Sequence, residues 1–516
     1  LIVPPFLVRS MNPEAYGVWA LVLQVAAYVT YLDFGIQTAV GRFVAHANER
    51  GDGGHRDAIA STSLFALVGS ALVGMIALLL LAWQLPNIFR TCPSALAGDA
   101  RVALILVGGS LALGLPASVC AGIFVGLLRN EVPAAIIAGG KLLGAFALII
   151  IARYHGGLVL MAVGVGAANV LAAALMFWAY RRLASDIRLS PRLVSRTAGK
   201  ELLGYCVSLT IWSLAMLLIQ GLNTTIVGVV DSFGAVAYFT VALTLTNFLA
   251  GVQAAIFNAL IPAAAILGAR ADADALGRML VSTTRYGMLL IVAVAVPLLA
   301  LANPVLTLWV GSDYARHATP MLQLLLIANI IRLSAVPYAV LLIGTGQQKL
   351  VILGPVVEGI LTLLASVIGG WRWGALGVTA GMLVGGIAGV TFNFFYNMPR
   401  TTGIRFAMST YYRDGLVRPL VCATPLLIVP VALLVHPQLA PNHRVILTAV
   451  GTAAMLSLTW FRGLAPNERA RALTLARRLL PGSRPLVPPA PGAVGPAASA
   501  QALPPSGGTT TKGASA

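Results

Sequence analysis

The sequence predicts an all-α integral membrane protein, and three observations predict it. Of its 516 residues 58% are hydrophobic and only 10% charged, whereas a water-soluble domain carries about 25% charged residues. Apolar runs of roughly 20 residues, the length an α-helix needs to cross a bilayer, recur along the whole chain. The 53 glycines and the 7% aromatic share suit helices that pack closely in lipid. Four cysteines in so long a chain exclude a disulfide scaffold or a Cys-rich zinc module.

Taken in order, residues 1–8 are apolar but too short to cross; they read as the end of a first helix whose start is missing. Whole spans are then expected at 16–39, 58–82, 102–127, 133–152, 158–180, 202–222, 236–262, 286–306, 318–343, 350–369, 374–397, 416–435 and 444–461. The expectation is about fourteen helices, the first incomplete. Gly122-x3-Gly126 and Gly381-x3-Gly385-x3-Gly389 let neighbouring helices approach, with packing as their default role. Pro116, Pro262, Pro297 and Pro337 fall within spans and mark kinks, either gates or plain structural bends. The last stretch, Pro481 to Ala516, is rich in Pro, Ala, Gly, Ser and Thr and is expected to be disordered.

Most of the 34 basic residues fall in alternate loops. One set holds Arg42, Arg50 and Arg56, then Arg181 to Lys200, then Arg270, Arg278 and Arg285, then Arg400 to Arg418, and the tail. The other holds Arg9, Arg90, Arg101, Arg153, Arg316, Arg372 and Arg444. Because basic loops stay inside, the chain is predicted to be multi-pass with both termini cytoplasmic. The net charge of +18 is thereby an orientation signal, and no nucleic-acid partner is needed to explain it. Trp83, Trp178, Trp309, Trp371, Trp373 and Trp460 lie near span ends, as an interfacial belt requires.

The chain also repeats itself faintly. Ala15-Tyr16, Ala20-Leu21 and Leu23 recur as Ala237-Tyr238, Ala242-Leu243 and Leu245; Ser61-Thr62 recurs as Ser282-Thr283; Gly126 corresponds to Gly344. A shift of six helices keeps the topology the same, so two six-helix halves would be related by an axis along the membrane normal. The expected domains are 1–180, a basic cytoplasmic linker 181–201, a second half 202–397, an extra helix pair 398–461 and a cytoplasmic, mostly disordered tail 462–516.

The run Pro4…Arg9-Ser-Met-Asn-Pro-Glu-Ala-Tyr16-Gly17-Val-Trp19, then Tyr31-Leu-Asp33-Phe-Gly35-Ile and Arg42-Phe-Val-Ala45, resembles the polysaccharide transporter family. That family includes the Wzx-type O-antigen flippases of the multidrug/oligosaccharidyl-lipid/polysaccharide exporter superfamily. Asp231…Gly234-Ala-Val-Ala-Tyr238 matches the family pattern again. Many such flippases have twelve helices; the lipid II flippase branch has about fourteen, so the subfamily stays open. The resemblance implies a bacterial inner-membrane transporter of an undecaprenyl-diphosphate-linked glycan, coupled to a proton gradient. It also implies membrane lipids and a polysaccharide polymerase or export machinery as partners.

Charges inside a bilayer cost roughly 2.5–3.5 kcal/mol each on insertion scales and normally face a cavity or a partner. Four qualify: Asp33, Lys141, Arg332 and Glu358. Arg332 and Lys141 are the candidate substrate-binding residues, because a guanidinium forks onto phosphate oxygens and an ammonium adds a point charge. Glu358 and Asp33 are the candidate ion-coupling carboxyls. Lys141 and Glu358 are 217 residues apart, close to the repeat spacing, which would put both near the interface between halves. Alternatively, Glu358 forms a structural ion pair with Lys141 or Arg332, and Asp33 pairs with Arg42 or caps a helix. Asn247, Asn258, Asn329 and Asn393, with Asn169 and Gln253, are candidates to line a polar path or to act as interhelical glue.

No phosphate-binding loop occurs: Gly344-Thr-Gly346-Gln-Gln-Lys349 has the wrong spacing. The six histidines lack metal-ligand spacing, so no metal and no cofactor is expected, and no enzyme activity. The expected function is translocation of a lipid-linked oligosaccharide by alternating access. The alternatives are a cation-coupled drug antiporter of the same superfamily and, from another class, a membrane-embedded glycosyltransferase or polymerase. The modest outside loop at 84–101 speaks against the last.

Overall fold

A computed structural model describes residues 2–436, 440–463 and 468–469, and among them every regular element is a helix. Nearly all of the expected tail 462–516, including Pro481 to Ala516, lies outside the described residues.

α1 (Val3–Ser10) begins on two prolines whose fixed φ suits a first turn. Asn12 then caps α2 (Pro13–Ala27) by accepting from the Ala15 amide at 2.8 Å. A 3-10 turn (Tyr28–Asp33) leads to Phe34 and Gly35, both left-handed at φ 50° and 76°, before α3 (Ile36–Glu49). The first expected span is therefore one crossing broken in its middle, with Asp33 at the break. α4 (Gly53–Ile88), α5 (Ser94–Gly126), α6 (Glu131–Arg153) and α7 (Leu158–Leu183) follow as long single helices.

The 202–222 span is α8 (Arg196–Met216) running through a π-helical turn, Leu217–Gly221, into α9 (Asn223–Val230). α10 (Phe233–Asn258) is extended after a short break by α11 (Ile261–Ala269). α12 (Ala273–Ala300), α13 (Ala302–Val310) and α14 (Ser312–Leu333) precede α15 (Val336–Gly344). α14 and α15 meet at 44°. Pro262 and Pro337 occupy first turns of α11 and α15, whereas Pro116 and Pro297 sit inside helices. Two of the four expected kinks are thus helix restarts.

α16 (Gln348–Phe392) is two helices, because Gly374 breaks it at φ 59°, ψ −142°. The chain doubles back there. A methyl on Gly377 would overlap the Gly369 carbonyl, one on Gly381 the Ser366 backbone and one on Gly385 the Thr362 side chain, while Ser366 Oγ donates to the Val378 carbonyl at 3.2 Å. The Gly381-x3-Gly385-x3-Gly389 stripe is therefore a packing face, turned on the helix just before it. A π-helical turn (Asn393–Asn397), the short α17 (Met398–Arg400) and α18 (Met408–Thr410), and a second π turn (Tyr411–Val417) lead to α19 (Arg418–Val435) and α20 (Pro441–Leu458).

By length and composition 11 helices among the described residues can cross a membrane, or 12 with the bent α14–α15 pair as one span. α16 enters that count once although its arms are antiparallel, so each of the expected whole spans has its helix. α5 and α12 are central, with 56% and 61% of their spans buried against protein, while α6 at 11% lies at the periphery. Its outward Leu142, Phe146 and Ile150 face a medium as apolar as themselves. Trp83, Trp178, Trp371 and Trp373 are exposed near helix ends.

Candidate functional site

The four intramembrane charges do not form one site. They divide between two cavities, each inside one of the segments 1–180 and 202–397.

The first cavity, about 370 Å³, is walled by the α2–α3 break, α5, α6 and α7, and its polar lining includes Asp33, Gln37, Ser110, Ser118, Lys141 and Asn169. Asp33 is held by its own break: one carboxylate oxygen accepts from the Gln37 amide at 3.4 Å, capping α3, and the other accepts from Ser118 Oγ of α5 at 2.9 Å. Arg42 is not its partner, since that guanidinium lies 4.7 Å from the centre of the Tyr205 ring. Asn169 donates to Ser110 Oγ at 3.0 Å, tying α7 to α5. Lys141 is exposed on the wall of α6 and has no hydrogen bond or ion pair among the described residues.

The second cavity, about 240 Å³, lies between the π turn after α8, α10, the α14–α15 bend and both arms of α16. Arg332 Nε meets Glu358 Oε1 at 2.5 Å, with side-chain exposures of only 19% and 14%, and a second guanidinium nitrogen donates to the Met382 carbonyl at 3.1 Å. The glycine stripe makes room for this pair. Gly386 lies under the Arg332 guanidinium and Gly389 under the Glu358 carboxylate, where an added Cβ would fall 3.2 Å from Nε and 2.7 Å from Oε2. Around the pair, Asn329 donates to Gln253 at 3.4 Å, Asn393 to the Gly389 carbonyl at 3.0 Å, and Asn397 to Asn393 at 2.8 Å.

The two cavities are built from equivalent positions. Thr30 and Ala250, Asp33 and Gln253, Gln37 and Phe257, Ser110 and Asn329, Ala121 and Ala339, Ile137 and Pro355, Lys141 and Glu358 line them in turn, each pair separated by 217 to 220 residues. The repeat spacing read from the sequence therefore runs through the walls of both cavities. Equivalence is not proximity, however. Lys141 and Glu358 occupy matching places in separate cavities and do not line one site. Arg332 and Lys141 likewise do not share a site, and of the two ion pairs considered Arg332–Glu358 is the one formed.

A third cavity, about 320 Å³, lies between α1, α2, α6, α9 and α10, and Tyr16, Gln24, Thr224, Thr240, Thr244 and Asn247 line it. Asn329 and Asn393 thus line the second cavity and Asn247 the third. Asn258 is exposed at the end of α10 and lines none of the three. Near the start of α2 and α10, Tyr16 packs edge-on against Tyr314 with ring centres 6.3 Å apart, and Tyr314 against Tyr238 at 5.1 Å. Gly17 there lies directly on the Phe233 carbonyl. Tyr16 and Tyr238 stood out in the sequence as a repeat marker and within the family pattern; nothing in it announced that both would clasp Tyr314. Ser118 and Gln37 carried no signal at all, being ordinary polar residues of apolar helices.

A family model described as polysaccharide biosynthesis protein matches residues 1–267. An uncharacterized membrane protein, EpsK of Bacillus subtilis (strain 168), is 25% identical over 437 residues, covering 81% of this chain and 83% of EpsK. Among solved structures, an inward-facing multidrug resistance transporter of the MATE family in the MOP superfamily superposes with a TM-score of 0.66 at 15% identity, covering 80% of this chain and 94% of its own. The lipid II flippase MurJ in an inward closed conformation gives 0.65 at 12% identity, covering 88% and 96%.

Proposed function

We propose that the chain, which belongs to the polysaccharide biosynthesis protein family, is a multi-pass transporter that flips a lipid-linked oligosaccharide across the bacterial inner membrane. The observation that carries this reading is the pair of equivalent cavities, each holding charge within the membrane. Residues 1–180 and 202–397 act as two halves that rock about their interface, with both termini cytoplasmic and 398–461 as an accessory helix pair. The aromatic clasp of Tyr16, Tyr314 and Tyr238 then seals the periplasmic end.

The substrate is an undecaprenyl-diphosphate-linked glycan. Its diphosphate is drawn by Lys141 in the first half, which has no ion pair among the described residues, and by Arg332 in the second. Arg332 is already neutralised by Glu358, so an incoming anion takes the guanidinium only as Glu358 gives it up, which happens when that carboxyl is protonated. Anion and proton binding become linked through one ion pair, and Asp33 gives the first half its own carboxyl. Asn247, Asn329 and Asn393 contribute polar lining for the glycan; Asn258 has no part. A polymerase or export machinery consumes the product on the far side.

With protein levels in the membrane unchanged, Arg332→Ala or Lys141→Ala is expected to strand lipid-linked glycan on the inner leaflet and cut surface polysaccharide at least tenfold. Normal surface polysaccharide in both variants would sink this assignment. The acidic residue in each cavity favours a second reading, a cation-coupled antiporter of drugs or other small molecules. In that case the same variants leave the glycan unchanged, and Asp33→Asn or Glu358→Gln raises drug susceptibility.

A further inference from the structure

A fourth cavity, about 450 Å³, lies away from the three described above, between the first turns of α12, the 401–407 linker, α18 and the turn into α19. Four arginines line it, Arg278, Arg285, Arg405 and Arg418, against two carboxylates, Asp274 and Asp414. Both carboxylates are engaged. Asp274 pairs with Arg405 at 3.4 Å, and Asp414 with Arg413, outside the recess, at 3.2 Å. Arg418 places two nitrogens on the Arg462 carbonyl at 2.9 and 2.7 Å, a neutral acceptor, and has no ion pair among the described residues. Arg278 is exposed and has no ion pair among the described residues. Arg278 and Arg285 are seven residues apart on α12 and share a helix face with Ser282.

The recess is a formed site rather than a loose loop. Gly277 lies directly on the Arg405 carbonyl, where any side chain would collide, and the Arg405 amide donates to the Ala273 carbonyl at 3.0 Å. An orientation signal needs basic residues on one side of the membrane; it does not need their guanidiniums to converge on one pinned cavity. We propose that this recess binds a phosphate group, held by guanidinium forks with help from the Ser282 and Thr410 hydroxyls. Its volume exceeds that of one phosphate, so the group arrives with a second phosphate or a headgroup attached. The inference stands whether or not the chain flips a glycan, since none of these residues lines the transport cavities.

The test uses the full chain, purified, with Arg278→Gln and with Arg278→Gln/Arg405→Gln. Both residues are exposed, so thermal unfolding without ligand should match the parent and serves as the folding control. In one arm inorganic diphosphate is titrated; in the other, phosphatidylglycerol retained from mixed phosphatidylglycerol/phosphatidylcholine nanodiscs is counted by native mass spectrometry. The expected result is saturable binding in at least one arm, weakened about tenfold by the single variant and further by the double. Weakening in the first arm identifies a soluble phosphate as the source, and in the second a lipid headgroup. Binding that is absent in both arms, or equal in parent and variants, overturns the proposal.

Discussion

The Arg332–Glu358 pair and Lys141 pose opposite problems for a side chain in lipid, and stability measurements separate them. Arg332 and Glu358 are mostly withdrawn from solvent and in direct contact, so removing one partner strands the other. Breaking a fully buried pair costs about 3–5 kcal/mol; the partial opening to the cavity brings the expected loss for Glu358→Ala or Arg332→Ala to about 2–3 kcal/mol. Glu358→Gln keeps an acceptor for the guanidinium and should lose less. Gly389→Ala should behave like Glu358→Ala, because the new methyl falls where the carboxylate lies. Lys141, exposed and with no partner among the described residues, should tolerate Ala within about 0.5 kcal/mol. Thermal unfolding in detergent ranks these variants, and a Lys141→Ala protein as unstable as Arg332→Ala would contradict the separation. All four charges were legible in the sequence because charge inside an apolar run is costly and conspicuous. Which of the two candidate ion pairs forms was not, because a repeat spacing identifies equivalent positions and says nothing about which of them touch.

At the scale of elements, the glycine stripe of α16 illustrates what patterning leaves open. Spacing by four marks a helix face of small residues, and packing was the correct default. The partner was invisible, because a left-handed glycine at 374 is one glycine among many in this chain, and only the turn it makes brings 358–370 against 377–389. Gly381→Leu should abolish accumulation of folded protein, since the Ser366 backbone cannot move away from the new side chain, and overpacking costs about 1–3 kcal/mol even where neighbours can shift. Gly139 of α6 has open space beside it, so Gly139→Ala should be neutral or stabilising by up to about 1 kcal/mol through helix propensity. Equal yields and melting points for the two variants would refute this placement of the arms. The long helices were readable to within a turn or so at most ends. Pro262 and Pro337 were marked as kinks, but that helices restart there was not legible, nor were the π turns, since an apolar run looks the same whether its helix bends or breaks.

For the whole molecule the decisive question is whether residues 1–180 and 202–397 move against each other, and the aromatic clasp offers the handle. Tyr16 belongs to the first segment and Tyr314 to the second, and their rings touch at one end of the bundle. At that end Gly17 brings α2 onto the Phe233 carbonyl. A rocking transporter must part these contacts once per cycle, whereas a fixed pathway need not. With Tyr16 and Tyr314 both replaced by cysteine, a short bifunctional thiol reagent should join them, stop export of surface polysaccharide and release it again on reduction. Background labelling is limited by the native thiols. Cys120, Cys206 and Cys422 are buried, and Cys92, in the loop after α4, has its pKa raised by burial. Its thiolate is therefore scarcer at neutral pH than that of an exposed cysteine. Labelling at pH 7 in a Cys92→Ser background leaves the engineered pair as the reporter. Each single cysteine variant treated with the same reagent should export normally. Continued export from fully cross-linked protein would show that the clasp never opens, and rocking of the two halves would have to be abandoned while the cavities and their charges stood.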